Sequence, residues 1–150
     1  KSESPDILLS SSAFRVRSTA SLIEKATGIQ NTPLPELDEW SVGEWEGRTY
    51  LDIKKNDPEI YRQWVADPIV NAPPGGESIV DLCRRVDMWM GSMAQRRGRV
   101  LAVTHPAVIR AAILNVLNAP PKSFWRIDIE PASSTAMHYR GHAWTLRSPG

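Results

Sequence analysis

His105 is the residue best placed in this sequence to do chemistry. It follows the apolar run Val100-Leu-Ala-Val103 and precedes Pro106, so a strand ends and a helix begins around it. The run suits a central parallel strand covered on both faces. Pro106 suits the first helical position, where a missing N–H costs nothing. Open α/β sheets bind ligands at the carboxyl ends of their strands, and helix N-termini favour anions. An imidazole at such a turn can hold an anion or move a proton. The alternative is a core histidine satisfied by backbone.

Arg15 falls in an equivalent turn near the start of the chain, after Ser10, Ser11 and Ser12. A guanidinium there can grip two phosphate oxygens with its planar fork, or it can be a surface arginine paired with a nearby acid. Glu39, Glu44 and Glu46 share a loop with Trp40 and Trp45. A carboxyl beside an indole can serve as a general acid; three solvated loop carboxylates are the plain reading. Glu77-Ser78 reads as a helix cap with an acid near the positive end of the dipole. A hydrolytic triad from Ser10–Ser12, His105 and an aspartate lacks the Gly-x-Ser-x-Gly elbow. His138 and His142 would need to face each other across a hairpin to share a metal, and no third ligand stands nearby. No phosphate-binding glycine loop of the Walker or dinucleotide type is present.

The elements that must position these residues are legible from periodicity. Residues 6–10 read as a buried strand, with Ser11 or Ser12 capping a helix over 13–27 that Gly28 ends. Residues 32–37 are proline-punctuated and extended, and 37–47 form an ordered loop. Short helices are expected over 49–56 and 58–66, then a Pro/Gly loop over 67–76. The longest helix spans 78–97, with Ile79, Leu82, Cys83, Val86, Trp89, Met90 and Met93 as its apolar stripe. Arg96 and Arg97 at its end suit the dipole, or form a basic patch. The helix after His105 is apolar nearly all round from 107 to 117, so it is buried. A helical turn over 120–125 and strands over 126–130, 133–139 and 143–147 complete the chain, with Arg140-Gly141 as a hairpin turn. This is an α/β pattern: a mostly parallel sheet flanked by helices, with a β-rich C-terminal edge.

The chain has 150 residues, a natural length for one domain over 1–150, and a net charge of +1 with both signs mixed. That balance argues against a nucleic-acid or membrane partner recruited by bulk charge. No apolar run approaches a membrane span and no secretory signal opens the chain. Cys83 is the sole cysteine, which excludes an internal disulfide and fits a reducing, cytoplasmic setting. Most of the six tryptophans should line core or pocket.

Four stretches resemble motifs of one family. Ser10-Ser-Ser-Ala-Phe-Arg15-Val-Arg-Ser-Thr19-Ala20 is similar to the Ser-Ser…Arg…Thr-Ala motif of the histidine phosphatase superfamily, the phosphoglycerate mutase-like proteins. Leu37-Asp-Glu39…Gly43-Glu-Trp45-Glu46-Gly47 resembles its Leu-x-Glu…Gly-x-Trp-Glu-Gly loop. Pro74-Gly-Gly-Glu77-Ser78 resembles its Pro-x-Gly-Glu-Ser turn, and Val103-Thr-His105…Ile109-Arg110 its second histidine motif. Order and spacing also fit, across almost the whole chain.

The resemblance implies phosphoryl transfer through a phosphohistidine. Imidazole is a competent nucleophile at neutral pH, and fixed cations and donors stabilise the transferring group. By position, Arg15 would clamp phosphate with Ser11 nearby, His105 would be the second histidine, and Glu39 the proton donor. Trp40, Trp45 and Glu77 would line the substrate pocket. Neither a metal nor an organic cofactor is implied. The expected ligand is a phosphorylated small molecule or free phosphate. The family's Arg-His-Gly motif, which carries the nucleophile, is absent. The chain opens on Lys1 rather than Met, which fits the loss of a first central strand and its helix. The 150 residues alone are then expected to be inactive. The reading favours a phosphomonoester hydrolase over a mutase-type phosphotransferase. A non-catalytic phosphate- or partner-binding relative is the other alternative, and a homodimer by strand exchange is a further one.

Overall fold

A computed structural model describes residues 4–147. β1 (Ile7–Ser10) leads into α1 (Phe14–Thr27), and the chain returns as β2 (Asn31–Pro33). A long insertion follows, with 3₁₀ turns at Pro35–Leu37 and Gly43–Trp45 and two short helices, α2 (Tyr50–Asn56) and α3 (Pro58–Ala66). Then come α4 (Ile79–Ala94), β3 (Val100–Val103) and α5 (Pro106–Val116). A 3₁₀ segment, Pro121–Arg126, precedes the hairpin β4 (Ala136–Arg140) and β5 (Ala143–Arg147). The result is a mixed α/β fold with a parallel sheet flanked by helices.

The sheet has the order β2-β1-β3, and all its pairs are parallel. β1 is its central strand. Leu9 faces α4 and α5, in a core with Leu37, Ile79, Leu82, Val86, Met90, Val108, Ala111 and Phe124. Leu8, on the face that α1 covers, is fully buried. The stripe expected on α4 is buried except at the half-buried Trp89. Ser78 caps that helix with a reciprocal bond: its hydroxyl accepts from Asp81 N–H and its own N–H donates to Asp81. Burial pushes the Cys83 thiol up to about 11, with Asp87 adding to the effect, so this cysteine is an apolar core residue.

Several expectations are corrected. β3 is not central: among the described residues it lies at the edge of the sheet, and Leu101, in register with Leu8, is 37% exposed. An apolar run reports burial tendency and not the number of neighbours. Residues 126–130 form no strand. Ile127 and Ile129 are half-buried and Asp128 and Glu130 exposed, so the alternation holds, but no described strand lies alongside to pair with them. The C-terminal strands are not an edge of the main sheet; they form a separate antiparallel ribbon whose Met137 and Trp144 pack against the core. Its turn falls one residue later than expected, at Gly141 and His142, both with positive φ as a two-residue hairpin turn requires. α4 stops at Ala94, before Arg96 and Arg97. Residues 31–33 pair with β1, and the rest of the proline-rich segment coils into a 3₁₀ turn. Neither Ser11 nor Ser12 takes the cap position of α1, which falls to Ala13; both hydroxyls are used elsewhere.

Candidate functional site

Parallel pairing builds the site. Ser10 lies in register with Val103, so β1 and β3 end side by side. Ser11 N–H still donates to Val103 O at 2.9 Å, and the two chains part only beyond that bond. Thr104 Oγ1 donates to Leu37 O at 2.6 Å and ties the acidic loop to the same end. Three segments thus converge at the carboxyl edge of the sheet: 11–12, 37–40 and 104–106. Crevices at this edge are where such sheets bind ligands.

A chain of polar contacts crosses the junction. Asp38 Oδ1 accepts from Ser12 N–H at 2.7 Å and from Ser11 Oγ at 3.1 Å, while the Ser12 hydroxyl lies 2.7 Å from both carboxylate oxygens. Burial opposes ionisation of Asp38, but the Ser12 hydroxyl and N–H, the Ser11 hydroxyl and the Arg85 charge outweigh it and hold its carboxyl below the ordinary value. An ionised Asp38 can only accept, so the Ser11 hydroxyl must donate to it. Ser11 Oγ then accepts from Ala13 N–H at 3.1 Å and from His105 Nε2–H at 2.8 Å. The tautomer of His105 follows from this order.

The other ring nitrogen faces Glu39. His105 Nδ1 lies 3.6 Å from Glu39 Oε2, and the side chains are 16% and 52% exposed. With Nε2 carrying a proton, a neutral imidazole turns a lone pair toward Glu39. The contact is attractive only when one of the two groups holds a further proton. This is not a hydrolytic triad: serine, not histidine, is the middle member, and Ser11 is fully buried. Nor is Ser11 free to hold phosphate as expected, because its one donor and two acceptor positions are all in use. It positions His105.

Arg85, which the sequence analysis missed, holds the acidic loop in place. Its Nη1 donates to Glu36 O at 2.8 Å and Asp38 O at 2.9 Å, and its Nη2 reaches Glu39 O at 3.4 Å. Nε and Nη2 grip the two oxygens of Glu77 at 2.9 Å each. Glu77 in turn accepts from Ser41 N–H on its carboxylate and from Trp40 Nε1–H on its carbonyl. Both of its oxygens are engaged, so Glu77 is a strut rather than a pocket wall. No local signal marks Arg85, since its partners lie up to 49 residues away.

Next to the His105–Glu39 pair is a trough of about 250 Å³ lined by Glu39, Trp40, Pro106, Ala107, Arg110, Phe124 and Trp125. Trp40 is where a pocket wall was expected. Trp45 is not: it is 3% exposed, donates Nε1–H to Asp57 and stands edge-on to Trp64 inside the insertion. Arg15 sits in the first turn of α1, exposed, and among the described residues nothing engages its guanidinium. Glu44 and Glu46 are exposed loop residues. His138 stands opposite Thr145, not His142, and its Nε2 lies 3.3 Å from Arg147 Nη1. Among the described residues no group of three or more His, Cys, Asp or Glu is placed to hold a metal.

The sequence model of the histidine phosphatase superfamily, branch 1, matches residues 1–150. This chain belongs to that superfamily. Within it, the adenosylcobalamin/alpha-ribazole phosphatase of Salmonella typhimurium strain LT2 is 30% identical over 134 residues, which cover 88% of this chain and 66% of that protein. Among solved structures, the alpha-ribazole phosphatase from Shigella flexneri superposes with a TM-score of 0.87 at 27% identity, over 96% of this chain and 72% of the other. A mycobacterial glucosyl-3-phosphoglycerate phosphatase, solved with inorganic phosphate, superposes with a TM-score of 0.77 at 25% identity, over 96% and 76% of the two chains. This histidine phosphatase-type chain thus spans about two thirds of the alpha-ribazole phosphatase length. No helix among its described residues is long and apolar enough to cross a membrane.

Proposed function

We propose that this chain forms the greater part of a phosphomonoester hydrolase that works through a phosphohistidine, with the nucleophilic histidine supplied by a segment outside these 150 residues. The observation that carries the reading is the contact between His105 Nδ1 and Glu39 at the strand ends, with Nε2 committed to Ser11. In the proposed reaction the incoming imidazole attacks phosphorus and the ester oxygen departs with its electron pair. Glu39 delivers a proton to that oxygen. Arg15 and His105 bind the equatorial oxygens and stabilise the transferring group. Water on the phosphohistidine then returns the nucleophile and releases phosphate. The relatives' names make alpha-ribazole phosphate the first substrate to assay.

The test is made on the protein expressed from a longer reading frame that includes the nucleophile. It is expected to hydrolyse 4-nitrophenyl phosphate and to form an acid-labile, base-stable phosphoenzyme on rapid quenching. Arg15→Ala and His105→Ala are each expected to lower kcat/KM by about a hundredfold or more. Glu39→Gln should lower it most for esters with poor leaving groups and least for 4-nitrophenyl phosphate, whose leaving group needs little protonation. Unchanged rates in all three variants would reject the assigned roles. A protein that binds phosphate but turns over no ester would favour a non-catalytic relative.

A further inference from the structure

Arg85 carries an inference about how the proton donor is aimed, and it rests on the phosphohydrolase reading above. A guanidinium has five N–H groups, and here all five are committed. Nε–H donates to Glu77 Oε2, the two on Nη1 to Glu36 O and Asp38 O, and the two on Nη2 to Glu77 Oε1 and Glu39 O. No donor is left over for a phosphoryl oxygen, so Arg85 is not a further phosphate clamp. What it holds is the backbone that leads into Glu39 and the carbonyl of Glu39 itself. A lysine, with three donors on one atom, cannot span that set.

Glu39 needs such a frame because its side chain is 52% exposed, and packing alone does not fix its rotamer. Its Oε1 accepts from Trp40 N–H at 2.9 Å, which turns Oε2 toward His105. That orientation is only as firm as the Trp40 amide. Trp40 is pinned by its indole, which donates to Glu77 O at 2.7 Å, and Ser41 N–H donates to Glu77 Oε1 at 3.0 Å. Glu77 thus grips residues 40 and 41, while Arg85 grips 36, 38 and 39, and the ion pair between them closes the frame around Glu39. The two side chains are only 22% and 19% exposed, so water competes little for the pair. A proton donor must meet the ester oxygen closely, and a displacement of about 1 Å can cost about a hundredfold in rate.

We propose that Arg85, through its ion pair with Glu77, is a positioning residue that aims the Glu39 carboxyl at the leaving-group oxygen. The test uses the longer protein that includes the nucleophile, with a series of phosphomonoesters running from 4-nitrophenyl through phenyl to alkyl. In Arg85→Lys, kcat/KM is expected to fall about a hundredfold for an alkyl ester and only about threefold for 4-nitrophenyl phosphate, whose leaving group needs little protonation. The inhibition constant of inorganic phosphate should hold, since no Arg85 N–H is free to touch it. In a Glu39→Gln background the same substitution should cost the phenyl ester about threefold at most, because the donor it aims is already gone. Glu77→Gln, which keeps the carbonyl that holds Trp40, should show the same trend across the series and decides the point if Arg85→Lys does not fold. A loss equal for all esters, or one that adds in full to that of Glu39→Gln, overturns the proposal and leaves Arg85 a residue of loop stability alone. Weakened phosphate inhibition overturns it in favour of a direct clamp. If the longer parent turns over no ester, the phosphohydrolase reading fails instead, and the aim of Glu39 is read from the NMR signals of the His105 ring. Glu39→Gln should then shift those signals in the parent and shift them less in Arg85→Lys; equal shifts in both overturn the positioning role.

Discussion

Asp38 decides the state of a histidine that it does not touch. Its carboxylate takes the Ser11 proton, Ser11 thereby becomes an acceptor, and Nε2 of His105 must donate. The same carboxylate makes the acid limb of stability predictable. The Asp38 carboxyl is held below its ordinary value in the folded protein, against burial, by Ser12, Ser11 and Arg85. A depressed folded value means stability that is present above the unfolded pKa and lost as pH falls through the folded one. Asp38→Asn is therefore expected to be less stable than the unaltered chain at neutral pH, with the gap narrowing in acid. Urea midpoints at about pH 7 and about pH 3 measure it; a gap of constant size would remove Asp38 from the acid response. The positions of His105 at a strand end and of Arg15 in the first turn of a helix were legible in sequence, because apolar runs and helical periodicity mark where those elements begin and end. The roles of Ser11, Asp38 and Arg85 were not, because each depends on partners 26 to 94 residues distant. Ser11 read as a cap or a phosphate ligand until its three bonds were seen together.

At the scale of elements, the acidic loop is set by backbone packed against backbone. Glu44 N–H donates to Pro74 O at 2.8 Å and Glu77 N–H to Ser41 O at 2.8 Å, so loops 41–47 and 73–77 are laced together. Gly43 has φ +56°, and a Cβ there would meet Pro74 O at 2.3 Å; one at Gly76 would meet Ser41 O at 2.7 Å. Neither neighbour is a side chain that can swing aside. Gly43→Ala is expected to cost on the order of 3 kcal/mol, combining overpacking with left-handed strain. It should also loosen the Trp40–Glu77 contact, and denaturant unfolding with indole fluorescence reads both effects. A midpoint unchanged from the parent would mean that the loops can part without cost. Sequence showed these glycines as motif members and the helices as periodic stripes. It did not show which loops lie on which, because periodicity identifies the buried face of an element and not what covers it. That is also why 126–130 read as a strand: Ile127 and Ile129 turn inward as a strand would have them do, without a ladder to join.

For the whole molecule, the informative feature is the outer edge of β3. Val103 O and Arg99 O both point to β1, accepting from Ser11 N–H and from Asp6 and Ile7 N–H. Bonding direction alternates along a parallel strand, so the amides of Leu101 and Val103 face β1 while those of Val100 and Ala102 face outward. Among the described residues no strand meets them. An open edge with a partly exposed leucine invites pairing by another segment. The proposed nucleophile-bearing strand would satisfy it and bring a second imidazole toward His105. Hydrogen exchange distinguishes the arrangements. In dilute solution of the 150-residue chain, the Val100 and Ala102 amides are expected to exchange much faster than those of Leu101 and Val103. In a longer protein that supplies the strand, all four should be protected alike. Protection of Val100 and Ala102 that grows with concentration of the short chain would instead assign the edge to a second copy. Uniform protection at every dilution would mean that the edge is closed within the chain itself, and the case for an added strand at β3 would fall.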